Sequence, residues 1–216
     1  QHPDEYPMNA GRVASCRGLD IDVTEYEREF AELHVEHSTS LHSLRTATRS
    51  PYHLGPLARL HLNRERLSPT ARALADDVGF DAPCRNPFRS IIARGLELVH
   101  AYETALGILR NYSPPRQSRI RYEPRAGSGC AATEAPRGLI YHRYSVDDSG
   151  RITFAKIVPP TSQNQPQIEA DLRDYLPRLL TEDDAHVARE CEKLIRNYDP
   201  CISCSTHFLK VTVHRE

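Results

Sequence analysis

The densest chemistry in the 216-residue chain lies near its end, in Asp199-Pro200-Cys201-Ile202-Ser203-Cys204-Ser205-Thr206-His207. Two thiolates three positions apart can converge on one soft metal ion, and Pro200 fixes the backbone entering the turn. His207, three positions further on, can reach a second ion beside the first. A bare C-x-x-C is half a site, because four-coordinate metals want further ligands. Taken alone, these residues are open to a zinc half-site, a redox dithiol or a rarer metal centre. A redox dithiol should sit where a strand enters a helix, whose N-terminus lowers the thiol pKa. This pair instead follows a predicted helix.

His34-Val35-Glu36 combined with Pro200-Cys201-Ile202-Ser203-Cys204 spells the H-x-E…P-C-x-x-C pattern of zinc deaminases. Several elements separate the two halves, whereas that chemistry needs one compact unit. His34 and Glu36 also fall within an expected helix among charged neighbours, so a solvated face explains them better. Cys16, Cys84, Cys130 and Cys191 are scattered singly and read as small apolar residues.

Two further stretches can position polar groups. In Glu134-Ala135-Pro136-Arg137-Gly138-Leu139, Gly138 permits close backbone approach and Pro136 stiffens the entry to Arg137. An arginine so held presents a permanent cation with a planar fork of donors, although a structural arginine at a strand entrance fits equally. Val158-Pro159-Pro160-Thr161-Ser162-Gln163-Asn164-Gln165 reads as a rigid polar loop ahead of a helix.

The elements that must carry these residues follow from periodicity. Thr24 with Glu27 suggests a capping box, and Tyr26, Phe30, Leu33, His37, Leu41 and Leu44 predict an amphipathic helix over 24–46. A short strand is expected within 12–23, and a helix from Ser68-Pro69 to about Val78. From Pro87 to Leu109, Phe88, Ile91, Ile92, Leu96, Val99, Tyr102, Ala105, Leu106 and Leu109 trace one apolar stripe, ended by Pro114-Pro115. Leu139–Val146 and Ile152–Val158, joined by Asp147-Asp148-Ser149-Gly150, predict a β-hairpin. Helices over about 166–180 and 183–197 then lead into Asp199. The fold class is α+β: long packed helices form a bundle-like core, with a small hairpin or sheet region near the metal site.

A net charge of −1 argues against a nucleic-acid partner or an anionic membrane surface. No stretch approaches the roughly 18 uninterrupted apolar residues of a membrane span. With no leader after Gln1-His2-Pro3, the expected compartment is the cytoplasm, where a C-x-x-C is more often a metal or redox site than a disulfide.

Taken together, the motifs resemble the large subunit of nickel–iron hydrogenases. The resemblance runs in order through Tyr6-Pro7, Gly11-Arg12, Glu36-His37-Ser38, Gly55-Pro56-Leu57-Ala58-Arg59, Asn86-Pro87-Phe88, Glu134–Gly138, Pro160–Gln165 and Asp199–His207. Pro-Pro-Thr-Ser-Gln-Asn and Asp-Pro-Cys-Ile-Ser-Cys look like the cytoplasmic, cofactor-coupled (NAD(P)-linked or related) group. The resemblance implies a centre of nickel and iron with cyanide and carbon monoxide ligands, plus a magnesium ion. Cys201 would be a terminal thiolate on nickel and Cys204 a thiolate bridging the two metals. His207 and the carbonyl of Ile157 would bind magnesium. Arg137 would overhang the centre with Pro136 and Asp199 beside it, and Arg137 and Thr161 would donate hydrogen bonds to the cyanides. The activity implied is reversible, heterolytic oxidation of dihydrogen. The implied partners are an iron–sulfur small subunit, NAD(P)- or other cofactor-reducing diaphorase subunits, and a maturation protease.

The family supplies two more cysteines from an N-terminal C-x-x-C, and no second such motif occurs here. The chain is therefore expected to be the C-terminal portion of the subunit, residues 1–207, with 208–216 an extension removed on maturation. Alone it would hold half the ligands and be inactive. Alternatives are a non-catalytic relative such as a quinone-module subunit of respiratory complex I, disfavoured by Cys201, Cys204 and His207, or a zinc-binding module.

Overall fold

The structure is a computed structural model describing residues 1–81, 83–201 and 212. Its N-terminal hairpin pairs β1 (Val13–Ala14) with β2 (Asp20–Ile21). Asp22, not Thr24, then caps the next turn: its carboxylate accepts the Thr24 N–H at 2.9 Å, and Glu25, not Glu27, reaches back to the Asp22 N–H at 3.2 Å. Only a 3-10 turn and a single α-turn, α1 (Tyr26–Glu29), follow. The expected helix over 24–46 does not form. The chain instead extends as β3 (Phe30–Leu33), antiparallel to β4 (His42–Arg45). Packing decides this against helical spacing: Tyr26 stacks on Tyr141 with ring centroids 4.2 Å apart, and Phe30 tilts against Tyr52 at 4.8 Å.

The helical core joins α2 (Pro56–Asn63), α3 (Pro69–Asp77) and α4 (Ser90–Arg110). Pro56 and Pro69 each occupy a first helical turn, where a missing N–H costs nothing. Leu57, Leu60, Ala71, Ala75, Phe80, Ala93 and Leu96 interlock there. The expected stripe on α4 is only partly the buried one: Leu96, with Ile92 and Val99 packed beside it, faces the core together with Ala93 and His100, while Ile91, Tyr102, Leu106 and Leu109 of the stripe are exposed, as is Leu98. The helix is apolar on two faces.

The predicted hairpin forms, as β6 (Gly138–Val146) and β7 (Ile152–Val158), after β5 (Gly127–Ala135) in a three-stranded antiparallel sheet of order β5-β6-β7. Asp147 closes the β6–β7 turn by accepting N–H bonds from Ser149 and Arg151, and Gly150 takes φ 78°. The polar stretch expected as a loop is the start of α5 (Pro160–Tyr175), with Pro159 as its N-cap residue. Thr161 to Asn164 are therefore buried helix residues. Finally, α6 (Asp184–Asn197) begins at Asp183, whose carboxylate accepts the His186 N–H at 2.8 Å. The α+β class stands.

Candidate metal centre

The site is built outward from Arg59 on α2, which is 5% exposed. Its Nε and Nη2 grip Glu97 of α4 bidentately, both at 2.7 Å. Nη1 donates to the Glu134 carboxylate at 2.6 Å and the Ala135 carbonyl at 2.8 Å, and Nη2 to the Pro136 carbonyl at 3.0 Å. All five donors of the guanidinium are thus spent inward, and three of them hold the strap Glu134–Pro136. Burial pushes the Glu134 carboxyl up, and Arg59 opposes it. Tyr6 donates to Glu97 at 2.6 Å.

Beyond the strap, two glycines let backbones touch. A Cβ on Gly55 (φ +102°) would meet the Arg137 carbonyl oxygen at 2.8 Å, and one on Gly138 (φ +137°) would meet Leu54 Cβ at 2.8 Å. Asn164 stitches the same junction, accepting the Leu54 N–H at 2.9 Å and donating to the Arg137 carbonyl at 3.3 Å. Gln163, fully buried, donates to Leu139 and Val158 carbonyls and accepts from Tyr26 and Tyr52 hydroxyls. The amides of Gln163 and Asn164 thus both have their partners, as burial requires.

Arg137 therefore emerges from a backbone fixed on three sides. Its Nε donates to the Asp199 carbonyl and lies 3.4 Å from the Asp199 carboxylate, with the side chains 37% and 42% exposed. Among the described residues its two terminal nitrogens make no hydrogen bond. Asp199 ends α6 at φ 51°, the left-handed position usually given to glycine at a helix C-terminus. The preceding turn is pinned by Tyr198, which donates to Asp171 at 2.5 Å, and by Arg94, which donates to the Asn197 carbonyl at 3.0 Å. After this reversal the Cys201 N–H donates to the Thr161 hydroxyl at 3.3 Å. Thr161 is 3% exposed and Cys201 half-buried.

Four of the residues singled out in the sequence thus converge: Arg137, Thr161, Asp199 and Cys201. Pro136 belongs to the strap behind them. Ile157 is half-exposed on β7 opposite His142 in the sheet register. Cys204 and His207 lie outside the described residues, as do the residues of the expected extension except Thr212. His34 and Glu36 are exposed on the β3–β4 connection rather than mid-helix. The site also depends on Gln163, Asn164 and Glu97, whose local sequence carries no sign of burial, and on Arg59, which the sequence marks only as part of a motif. The donor set fits a soft-metal centre: a thiol suits nickel or iron, with a cationic fork and a buried hydroxyl beside it.

Comparison with known proteins identifies the family. The sequence model described as nickel-dependent hydrogenase matches residues 49–207. The chain is 29% identical to sulfhydrogenase 1 subunit alpha of Pyrococcus furiosus over 210 residues, covering 96% of this chain and 48% of that one. It is 30% identical over 167 residues to the NAD-reducing hydrogenase HoxS subunit beta of Cupriavidus necator, covering 72% of this chain and 34% of the relative. In fold it is similar to an NAD+-reducing [NiFe]-hydrogenase in the H2-reduced state, with TM-score 0.74 and 24% identity over 94% of this chain and 48% of that chain. The chain spans about half the length of the sulfhydrogenase subunit it matches.

Proposed function

The chain belongs to the nickel-dependent hydrogenase family, and on that premise we propose that it is the C-terminal portion of a hydrogenase large subunit catalysing the reversible, heterolytic oxidation of dihydrogen. The observation that carries this reading is the meeting of Arg137, Thr161, Asp199 and Cys201, all within the family-matched residues.

When bound, the nickel–iron centre supplies the polarisation of dihydrogen and the path for its electrons. Cys201 and Cys204 would hold it as thiolates, and His207 with the Ile157 carbonyl would hold magnesium. The Thr161 oxygen accepts from the Cys201 N–H, so its own hydrogen would be left to donate to a cyanide ligand. Asp199 fixes Arg137 through Nε, and the fork of terminal N–H groups would then be free to donate to the centre's cyanide ligands. A cysteine thiolate or the Arg137 guanidinium region would take up the proton, with Pro136 and Asp199 beside it.

Residues 208–216 are read as an extension cleaved on maturation. The second apolar face of α4 supports packing against further polypeptide, here an iron–sulfur small subunit, and cofactor-reducing subunits would complete the electron path. A cytoplasmic location is part of the same reading; no helix among the described residues is long and apolar enough to cross a membrane.

The test is Arg137→Lys in the assembled protein, scored as hydrogen oxidation per nickel. Lysine keeps the charge but not the planar fork. Nickel content should persist while turnover falls roughly 10²–10⁴-fold, the usual contribution of a well-placed donor or proton-transfer group. A rate within about twofold of the parent, far inside that range, would overturn the role.

A further inference from the structure

A second cluster of ligating side chains lies where the β3–β4 connection meets α5. His37 Nε2 is 2.9 Å from Glu169 Oε1, and His42 Nε2 is 3.5 Å from the same oxygen. The two imidazoles meet edge to face with ring centroids 5.6 Å apart. All three donor atoms fall within 4.8 Å of one another. His42, at the start of β4, is 4% exposed, and its buried Nε2 completes no hydrogen bond. An ordinary ion pair between His37 and Glu169 leaves that nitrogen unanswered, although buried polar atoms are nearly always partnered.

We propose that His37, His42 and Glu169 form a binding site for a divalent transition-metal ion of the zinc class, which ties the β3–β4 connection to α5. Donors sharing one tetrahedral zinc at about 2.0–2.2 Å lie roughly 3.2–3.6 Å apart. The His42–Glu169 separation of 3.5 Å falls in that range, and the 2.9 Å His37–Glu169 contact and the histidine–histidine separation adjust to it by rotation of His37, whose side chain is 65% exposed. Two imidazoles and one carboxylate form the ligand set of open zinc sites, with a fourth position left to water. Imidazole nitrogens disfavour magnesium or calcium here. Burial pushes the His42 imidazole down, which keeps it in the neutral form that a metal needs. Glu169 is eight residues beyond Thr161 on α5, about 12 Å along the helix, so this site is separate from the thiol centre and does not depend on the hydrogenase reading.

The test is titration of the assembled protein, stripped of loosely held metal, with zinc chloride and separately with cobalt chloride. Zinc should add one equivalent beyond the metal already present. Cobalt should show weak visible bands without the near-ultraviolet thiolate absorption that Cys201 would give. His37→Gln and Glu169→Gln should each weaken zinc binding by at least about tenfold, since loss of even an outer-sphere partner costs 10–100-fold. Nickel content should not change in either variant. Because His37 is largely exposed, its variant keeps the fold and the test stands even if Glu169→Gln is unstable. No added equivalent, unchanged affinity in His37→Gln, or thiolate-type cobalt absorption would each overturn the proposal.

Discussion

Arg59 and Arg137 flank the same strap, Glu134–Pro136, and use their guanidinium groups in opposite ways. Arg59 is almost completely buried and spends five hydrogen bonds on two carboxylates and two carbonyls. Arg137, just past the strap, is over one-third exposed and, among the described residues, commits only Nε to protein. The first arrangement is closed and the second is open on one side. A fork of donors can be held ready only if its backbone cannot move, and the rear network supplies that fixity. The cost of presenting Arg137 is borne where nothing reacts.

The sharpest way to break this comparison is Arg59→Met. Methionine fills the volume but leaves Glu97 and Glu134 as buried carboxylates without their arginine. Breaking a buried pair in this way costs about 3–5 kcal/mol, and this should appear as a fall in urea midpoint with little change in slope. Arg137→Lys should move that midpoint by less than about 1 kcal/mol, as expected for a half-exposed pair. If the two variants unfold alike, the division between a structural and a presenting arginine fails.

Gly55→Ala tests the junction between the two regions. The new methyl would meet the Arg137 carbonyl at 2.8 Å from a backbone at φ +102°. Left-handed strain costs roughly 1–2 kcal/mol, and relief of the clash must push Arg137 away. A stability loss near 2 kcal/mol on that scale, accompanied by lower hydrogen turnover per nickel, is expected. Unchanged turnover despite that loss would show that Arg137 is not held by this contact.

Much of this arrangement is legible in the sequence, and the parts that are not share a cause. The hairpin over 139–158 is marked by alternation and by Asp147 to Gly150, and the helices near 69–78, 87–109 and 183–197 by their spacing and caps. These are local signals. The segment 24–46 carries aromatic residues whose spacing also suits a helix, and only the distant Tyr141 and Tyr52 decide for an extended β3. Pro160 to Gln165 reads as loop because runs of Thr, Ser, Gln and Asn are usually solvated. Here carbonyls from β6, β7 and the chain before Gly55 satisfy the amides in the interior. Arg59 illustrates the same limit, since nothing beside it in sequence announces Glu97 or Glu134. The motif residues Arg137, Thr161, Asp199 and Cys201 were visible by type; what brings them together is long-range packing.

The two regions also differ in the sign of their pH response. On the open side, burial holds His53, which packs against Tyr198, down to about 4 from 6.5, with Asp171 opposing. The unfolded chain then binds more protons than the folded one between those values, so stability is present above pH 6.5 and is lost as pH falls toward 4. The loss is up to about 3 kcal/mol before screening and about 1–2 after it. On the closed side Glu134 is shifted up, so the folded chain holds the extra proton and its contribution weakens as pH rises. Unfolding followed from pH 7 to 4 should show an acid loss that His53→Gln removes. An unchanged acid slope in that variant would assign the loss elsewhere.

The smallest effect expected separates the carboxylate of Asp199 from its backbone. Asp199 sits at φ 51°, and the carbonyl as well as the carboxylate faces Arg137 Nε. Asparagine tolerates the left-handed region nearly as well as aspartate, so Asp199→Asn keeps the reversal and the carbonyl acceptor while deleting the charge. The exposed ion pair it removes is worth about 0–1 kcal/mol. Asp199→Ala deletes the same charge and adds the left-handed penalty of roughly 1–2 kcal/mol. Thermal unfolding should therefore rank the parent just above the asparagine variant and both above alanine. If alanine and asparagine melt together, the reversal after α6 is held by Tyr198 and Asn197 alone and Asp199 contributes only its charge. If they separate as expected, the asparagine variant removes the charged carboxylate on an intact frame, and its hydrogen turnover then measures what that carboxylate contributes.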